Sequence, residues 1–345
     1  MMRKRTTEYS FIREGISIVI PAYNAQDWII PTTQKIVTAV NNARLKNAEI
    51  IIVNDGSSDN TERIARDLKY DVPVRVYSHA NAGRFLTRKK GVVNARYETI
   101  LFIDTRVWID EQALVYVLGQ QKENPERRVW NGDVQVHKKG NIIARFGDAI
   151  TQIGWRRYHG NPRLLSYGIK DFDYYPKGTT IFLAPKQLIQ DAILWFESQT
   201  NDIRNSSDDT LLIRYIAERE RIWISPGFTS TYFARTTIKA FIGHTYHRGM
   251  FFVDGFLRKG TRFYYPLIIF LVGTLMSLIL SVFFPILLLY IGIVLCLCWL
   301  LELITALILG ISLRDSLSLF VLSPLFAVVY GLGIWRATIT RMKNV

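Results

Sequence analysis

Cysteine is nearly absent from this chain: two among 345 residues, Cys296 and Cys298, both inside an apolar run. Two residues apart on a helix they do not face each other, which argues against a disulfide framework or a zinc site and fits a reducing compartment. The N-terminus, MMRKRTTEYS, has no apolar core behind it and does not read as a secretory signal. Low-complexity tracts and repeats at solenoid periods are missing, so neither disorder beyond the first dozen residues nor a solenoid is expected. Charge is missing over one long stretch: from Tyr264 to Gly310 the only charged residue is Glu302.

Acidic residues are also in deficit, 29 against 43 basic, which leaves a net charge of +14. Such a balance suits nucleic acid, acidic lipid head groups or phosphorylated metabolites. The run after Tyr264 selects among them. One crossing takes about 20 apolar residues, so spans are expected at 264–284 and 286–309, with Pro285 in the turn. Glu302 then needs a polar neighbour or a place near the interface. Arg258, Lys259 and Arg262 before the first span and Arg314 after the second put both flanks on the cytoplasmic side of a hairpin. A third apolar segment, 317–335, either crosses, leaving Arg336, Arg341 and Lys343 outside, or is re-entrant or interfacial. Residues 236–262 read as an amphipathic interface helix. Ile238, Phe241, Ile242, Phe252, Phe256 and Leu257 form its apolar side, and Lys239, His244, His247, Arg248, Arg258 and Lys259 its basic side. The basic residues flank membrane segments and a phosphate site, and no nucleic-acid-binding motif appears.

Residues 15–235, after a basic tail at 1–14, read as an α/β domain. ISIVIPAY, EIIIVND, VRVYSH and TILFIDT are β-branched apolar runs. Helical stretches at 27–43 and 61–69 separate the early ones, which implies a mostly parallel sheet. Ligands bind beyond the carboxyl ends of such strands. The first strand ends in Pro21-Ala22-Tyr23-Asn24 and the second in Asn54-Asp55-Gly56. Asp55 there can accept hydrogen bonds from a nucleobase, and Gly56 permits close backbone approach. Asp59 offers helix capping. Arg84, Arg88, Lys89 and Lys90 cluster before the acid strand, where arginine can hold a diphosphate bidentately. Asp208 and Asp209 open a helical stretch; a positioned carboxylate there can take a proton from a hydroxyl, or the pair can cap the helix with Ser206 and Ser207.

As an ordered set, PAYN, NDGSSDNT, NAGRFLTRKKGVVNA, TILFIDTRV and SSDDTLLIRYI resemble glycosyltransferase family 2 over roughly residues 15–235. The resemblance implies a GT-A fold (Rossmann-like, mostly parallel), inverting transfer from a nucleotide-sugar donor, Asp209 as base with Asp208 beside it, and a donor site of Pro21, Ala22, Tyr23, Asp55, Gly83, Arg84, Arg88, Asp104, Thr105 and Arg106. Processive members carry QxxRW near the position where this chain has GHTYHRGM. That difference points to transfer of a single sugar to a membrane-associated acceptor, a polyprenyl phosphate or lipid-linked saccharide, at the cytoplasmic face of a cell membrane. His244, His247 and Arg248 are candidate phosphate contacts. Trp155 is a candidate acceptor contact, with Trp195 and residues 172–185 as a further acceptor wall; core roles compete for all of these.

The family's Asp-x-Asp is here Asp104-Thr105-Arg106. Guanidinium cannot ligate a cation, so a divalent Mg or Mn ion on Asp104 is in question. Arg106 replaces part of the metal's charge, or it turns outward while Asp104 and the diphosphate keep the ion, or the donor is a polyprenyl-phosphate sugar carrying one phosphate. A fourth alternative pairs Arg106 with Asp110 in a decayed, nucleotide-sugar-binding scaffold.

Overall fold

The computed structural model describes residues 11–199 and 208–343, without the side chains of Phe11, Ser198, Gln199, Asp208, Asp254 and Lys343. The chain divides into two compact units, residues 1–135 with 161–233, and 136–160 with 234–345. Residues 1–10 of the N-terminal tail and the Ser206–Ser207 capping positions lie outside the described residues, as does the Asp208 side chain, while the rest of the expected tail is a short helix.

In the first unit a short helix, α1 (Phe11–Glu14), leads into β1 (Ile16–Ala22), α2 (Ile29–Asn42), β2 (Ala48–Asp55), α3 (Thr61–Asp67), β3 (Val74–His79), α4 (Arg84–Val93) and β4 (Thr99–Ile103). The expected early strands and helices are therefore present within about two residues at each end. Then come β5 (Val107–Ile109), α5 (Ala113–Glu123), β6 (Trp130–Asn131) and β7 (Asp133–Val136). After the second unit's insertion the chain resumes with β8 (Leu165–Tyr167), β9 (Ile181–Pro185), α8 (Lys186–Gln199), α9 (Asp208–Ala217), β10 (Ile222–Ile224) and β11 (Thr229–Tyr232). The main sheet runs β3-β2-β1-β4-β9-β6-β10-β8, and β5-β11-β7 form a small second sheet.

Strands β3, β2, β1 and β4 are parallel neighbours. In β1, β2 and β4 almost every residue is buried, as expected of a parallel sheet covered on both faces. Their carboxyl ends, at Ala22, Asp55 and Ile103, lie along one sheet edge. Antiparallel β9 brings the start of a later strand to that same edge, since Ile181 pairs with Ile103. Phe172, Ile181, Phe182 and Leu183 are fully buried, so those members of the expected acceptor wall are core. Trp195 packs against Tyr215 at 5.4 Å.

The second unit contains α6 (Ile142–Gly154), α7 (Arg156–His159), α10 (Ile238–Phe256), α11 (Tyr264–Phe283), α12 (Ile286–Ile308) and α13 (Leu313–Lys343). By length and composition α11, α12 and α13 could each cross a membrane. The turn at Pro285 matches the expected hairpin. Glu302 lies six residues before the end of α12, roughly 9 Å along the axis. The third apolar segment is a longer helix than 317–335, because Pro324 is absorbed within it.

Helix α10 is shorter than the expected 236–262, and much of its apolar side packs against α13, while Ile238 and Ile242 remain exposed. Phe241 packs with Leu319 and Leu322 of α13, and Val253 with Ile334. Glycines set how close the two helices come: a Cβ on Gly249 or Gly333 would overlap the backbone of the other helix. Gly333→Ala is therefore expected to cost about 3 kcal/mol, the upper range for overpacking. Thermal unfolding of detergent-solubilised protein reads this, and an unchanged midpoint would contradict the tight crossing.

Candidate active site

Each residue at the sheet edge is held by a neighbour that the fold supplies. Gly83, with φ +91°, precedes α4, and Asp55 accepts hydrogen bonds from the Ala82 and Gly83 amides at 2.7 and 3.1 Å. Asp55 is buried at the end of β2, so its carboxylate fixes the loop that launches α4. Gly56 (φ +65°) lets that loop pass: a Cβ there would lie 2.6 Å from the Asn81 amide. Asp59 accepts from the Thr61 amide at 3.0 Å, in keeping with capping.

Arg88, one turn into α4, is 3% exposed. Its guanidinium donates to Asp104 Oδ1 at 3.0 Å and to Asp209 Oδ1 at 3.1 Å. Asp104 and Asp209, 105 positions apart in the chain, are thereby joined through one buried cation. The two lysines beside it have structural partners: Lys89 pairs with Glu197, and Lys90 donates to the Ser78 carbonyl. Arg84 is exposed at the start of the same helix and acts electrostatically on Asp104. Burial pushes the Asp104 carboxyl above the usual carboxylate range; Arg88 opposes this and Asp209 adds to it. Two like charges are thus kept together by a shared counterion.

The turn after Asp104 is pinned on both sides. The Asp104 amide donates to the Thr180 carbonyl, Thr32 Oγ1 donates to the Thr105 carbonyl at 2.6 Å, and the Phe233 amide donates to the Arg106 carbonyl at 2.9 Å. The Arg106 guanidinium stands over the Trp28 ring, 4.6 Å from its centroid, and reaches the Phe233 carbonyl at 3.5 Å.

Pro21 and Ala22 close β1 at this edge, and Tyr23 beyond them is 54% exposed. Asp208 opens α9. Trp155, His244, His247 and Arg248 fall in the second unit, the last three on the exposed face of α10. A hollow of about 480 Å³ lined by Lys35, Trp108, Asp110 and Glu111 contains none of the three aspartates.

The sequence reading reaches Thr179 only as part of the 172–185 acceptor wall and misses its place beside Asp209. It is 2% exposed, and its hydroxyl donates to Asp209 Oδ1 at 2.8 Å. The available signal was the polar pair Thr179-Thr180 immediately before the apolar run IFLAP. A strand starting antiparallel to β4 begins where β4 ends.

Among the described residues no group of three or more His, Cys, Asp or Glu side chains could hold a metal ion. Magnesium at phosphate sites is commonly held by one or two carboxylates, with substrate oxygens and water completing its shell. Asp104 fits that pattern as a single protein ligand.

Residues 17–173 match the family model described as Glycosyl transferase family 2. The poly-beta-1,6-N-acetyl-D-glucosamine synthase of Staphylococcus epidermidis is 32% identical over 133 residues, 38% of this chain and 31% of that protein. The Staphylococcus aureus synthase is 27% identical over the same shares. The chain spans about a third of the length of these curated relatives. Among solved structures, S. aureus TarS 1–349 in complex with UDP-GlcNAc superposes with a TM-score of 0.48 at 15% identity, covering 70% of this chain and 67% of that one. Over residues 17–173, a little under half of its length and including most of the parallel strands, the chain is thus similar to glycosyltransferase family 2.

Proposed function

We propose that this protein transfers one sugar from a nucleotide-diphosphate donor to a membrane-associated acceptor, a polyprenyl phosphate or a lipid-linked saccharide, with inversion and with Asp209 as base. The observation that carries this reading is the Arg88 bridge between Asp104 and Asp209. It supports a donor end and a base end of one site. Asp55 and Gly83 hold the loop on which a nucleoside would rest, Arg84 and Arg88 offer charge to the diphosphate, and Asp209 stands at the acceptor hydroxyl. Thr179 and Arg88 both approach Oδ1 of the base, which fixes the carboxylate's orientation. A divalent ion, when bound on Asp104, would offset the leaving group's charge. Joint retention of Asp55, Asp104 and Asp209 around Arg88 speaks against a decayed scaffold. The membrane hairpin supports an acceptor in the bilayer and a site on its cytoplasmic face.

Purified full-length protein in lipid vesicles, screened against labelled nucleotide sugars with and without divalent ion, tests the proposal. The relatives' name makes an N-acetylglucosamine donor the first choice. Release of nucleoside diphosphate with label passing into lipid is expected. Release of lipid phosphate would instead assign a polyprenyl-phosphate donor, and binding without turnover would assign a scaffold.

The place of Arg106 over Trp28 supports the account in which it turns outward and the ion stays on Asp104. Chelation is then expected to abolish turnover, with manganese or magnesium restoring it. Arg106→Ala is expected to cost about 1 kcal/mol of stability through the lost cation–π contact, with turnover reduced less than about tenfold. Activity that survives chelation but collapses in Arg106→Ala would transfer the leaving-group role to Arg106.

A further inference from the structure

The position of α13 against the hairpin bears on how many times the chain crosses the membrane. Helix α11 meets α13 through Leu267 and Leu271, which cluster with Ile334, and through Thr274, whose hydroxyl accepts from Trp335 Nε1 at 3.1 Å. Helix α12 meets it through Trp299, which stacks on Phe320 at 4.3 Å and donates to the Phe320 carbonyl at 2.6 Å, and through Ala306, which clusters with Leu319. The hairpin turns at Phe284 and Pro285. Both sets of contacts therefore lie at or below its mid-height, away from the turn. A helix rising beside α12 from Phe320 would bring Trp335 near the turn. Trp335 instead lies level with Thr274, so α13 runs across the hairpin's base.

Exposure along α13 gives the same answer. Leu317, Val321, Val328, Leu332, Ile339 and Met342 are all exposed. Their spacings of three, four and seven residues place them on one stripe running nearly the whole helix. Thirty-one residues span about 46 Å, well beyond a hydrocarbon core of about 30 Å. Helix α10 runs parallel to α13 on the buried side and turns Lys239, His244, His247 and Arg248 outward. The second unit carries fifteen basic and four acidic residues, eleven of the fourteen net positive charges. A crossing by α13 would separate Arg314 from Arg336 and Arg341, against the bias that keeps basic flanks on one side.

We infer that α13 is an in-plane helix whose exposed stripe rests on the acyl-chain boundary of one leaflet, with α10 on its aqueous side, so that only α11 and α12 cross. Single nitroxide labels at L317C, V328C and I339C test this in the full chain, with Cys296 and Cys298 replaced by alanine, in vesicles of phosphatidylcholine and phosphatidylglycerol. The three positions share one face at intervals of eleven residues. Depths from oxygen and nickel-chelate accessibility are expected to agree within a few ångströms. Successive differences of about 16 Å, or a maximum at V328C, would overturn the inference. R341C, off the stripe, and K259C are expected to react with a membrane-impermeant maleimide from the same side, and reaction from opposite sides would overturn it as well. Neither readout depends on turnover, so failure here and failure of the proposed transfer are distinguishable.

Discussion

Arg88→Ala is expected to lower kcat/KM by about a thousandfold or more and to destabilise the first unit by about 3–5 kcal/mol, the cost of removing one partner from a buried ion cluster. The guanidinium is 3% exposed and touches both Asp104 and Asp209. Without it, two carboxylates share the site with no common counterion. The Asp104 carboxyl, already raised by burial and by Asp209, loses the group that opposes the rise. Arg88→Lys keeps the charge but not the fork, and one ammonium cannot reproduce two contacts at 3.0 and 3.1 Å in separate directions. Its activity is expected between wild type and alanine. The double substitution Arg88→Ala with Asp209→Asn removes the repulsion and is expected to be more stable than Arg88→Ala alone, a coupling that a double-mutant cycle measures. Wild-type stability in Arg88→Ala would show that the bridge carries no weight.

Asp209→Asn is expected to lower kcat by about a hundred- to ten-thousandfold, the range for loss of a general base, while donor affinity changes no more than a few-fold. Asparagine keeps an oxygen that accepts from Thr179 and Arg88, so the geometry at Oδ1 is preserved. What is lost is the capacity to take a proton. Pre-steady-state turnover beside equilibrium binding of the donor separates the two effects. Unaltered kcat would move the base elsewhere, and a large loss of donor affinity would make Asp209 a binding group.

Much of this was legible because the sheet is parallel and buried. Four β-branched runs with helices between them announce β1 to β4, and motif residues at the ends of β1, β2 and β4 must share an edge once those strands adjoin. Contacts between distant segments were not legible. The antiparallel insertion of β9, which brings Thr179 to Asp209, leaves no periodic signature in KGTT. The stacking of Arg106 on Trp28 joins residues 78 positions apart, and pattern alone left that arginine open among several roles. The amphipathic pattern at 236–262 gave the helix, but not what it packs against. Apolar residues at helical spacing serve a bilayer or another helix equally well, and Gly249 against Gly333 decided for the helix.

The chain passes from the first unit to the second after Gln135, returns at Asn161, and leaves again after Phe233. Helix α6 therefore belongs with the C-terminal helices although it is encoded within the catalytic half. Its Ile143, Phe146 and Ala149 are covered by Phe241, Leu319 and Leu322. Lys138 and Arg145 nearby pair with Asp315 at 3.1 and 2.9 Å. A cut placed just after residue 235 would strip that cover and take Asp315 from Arg145, leaving Lys138 only its pair with Asp148. A water-soluble catalytic fragment thus calls for two excisions, with a short linker replacing residues 137–160 as well as loss of the C-terminal helices.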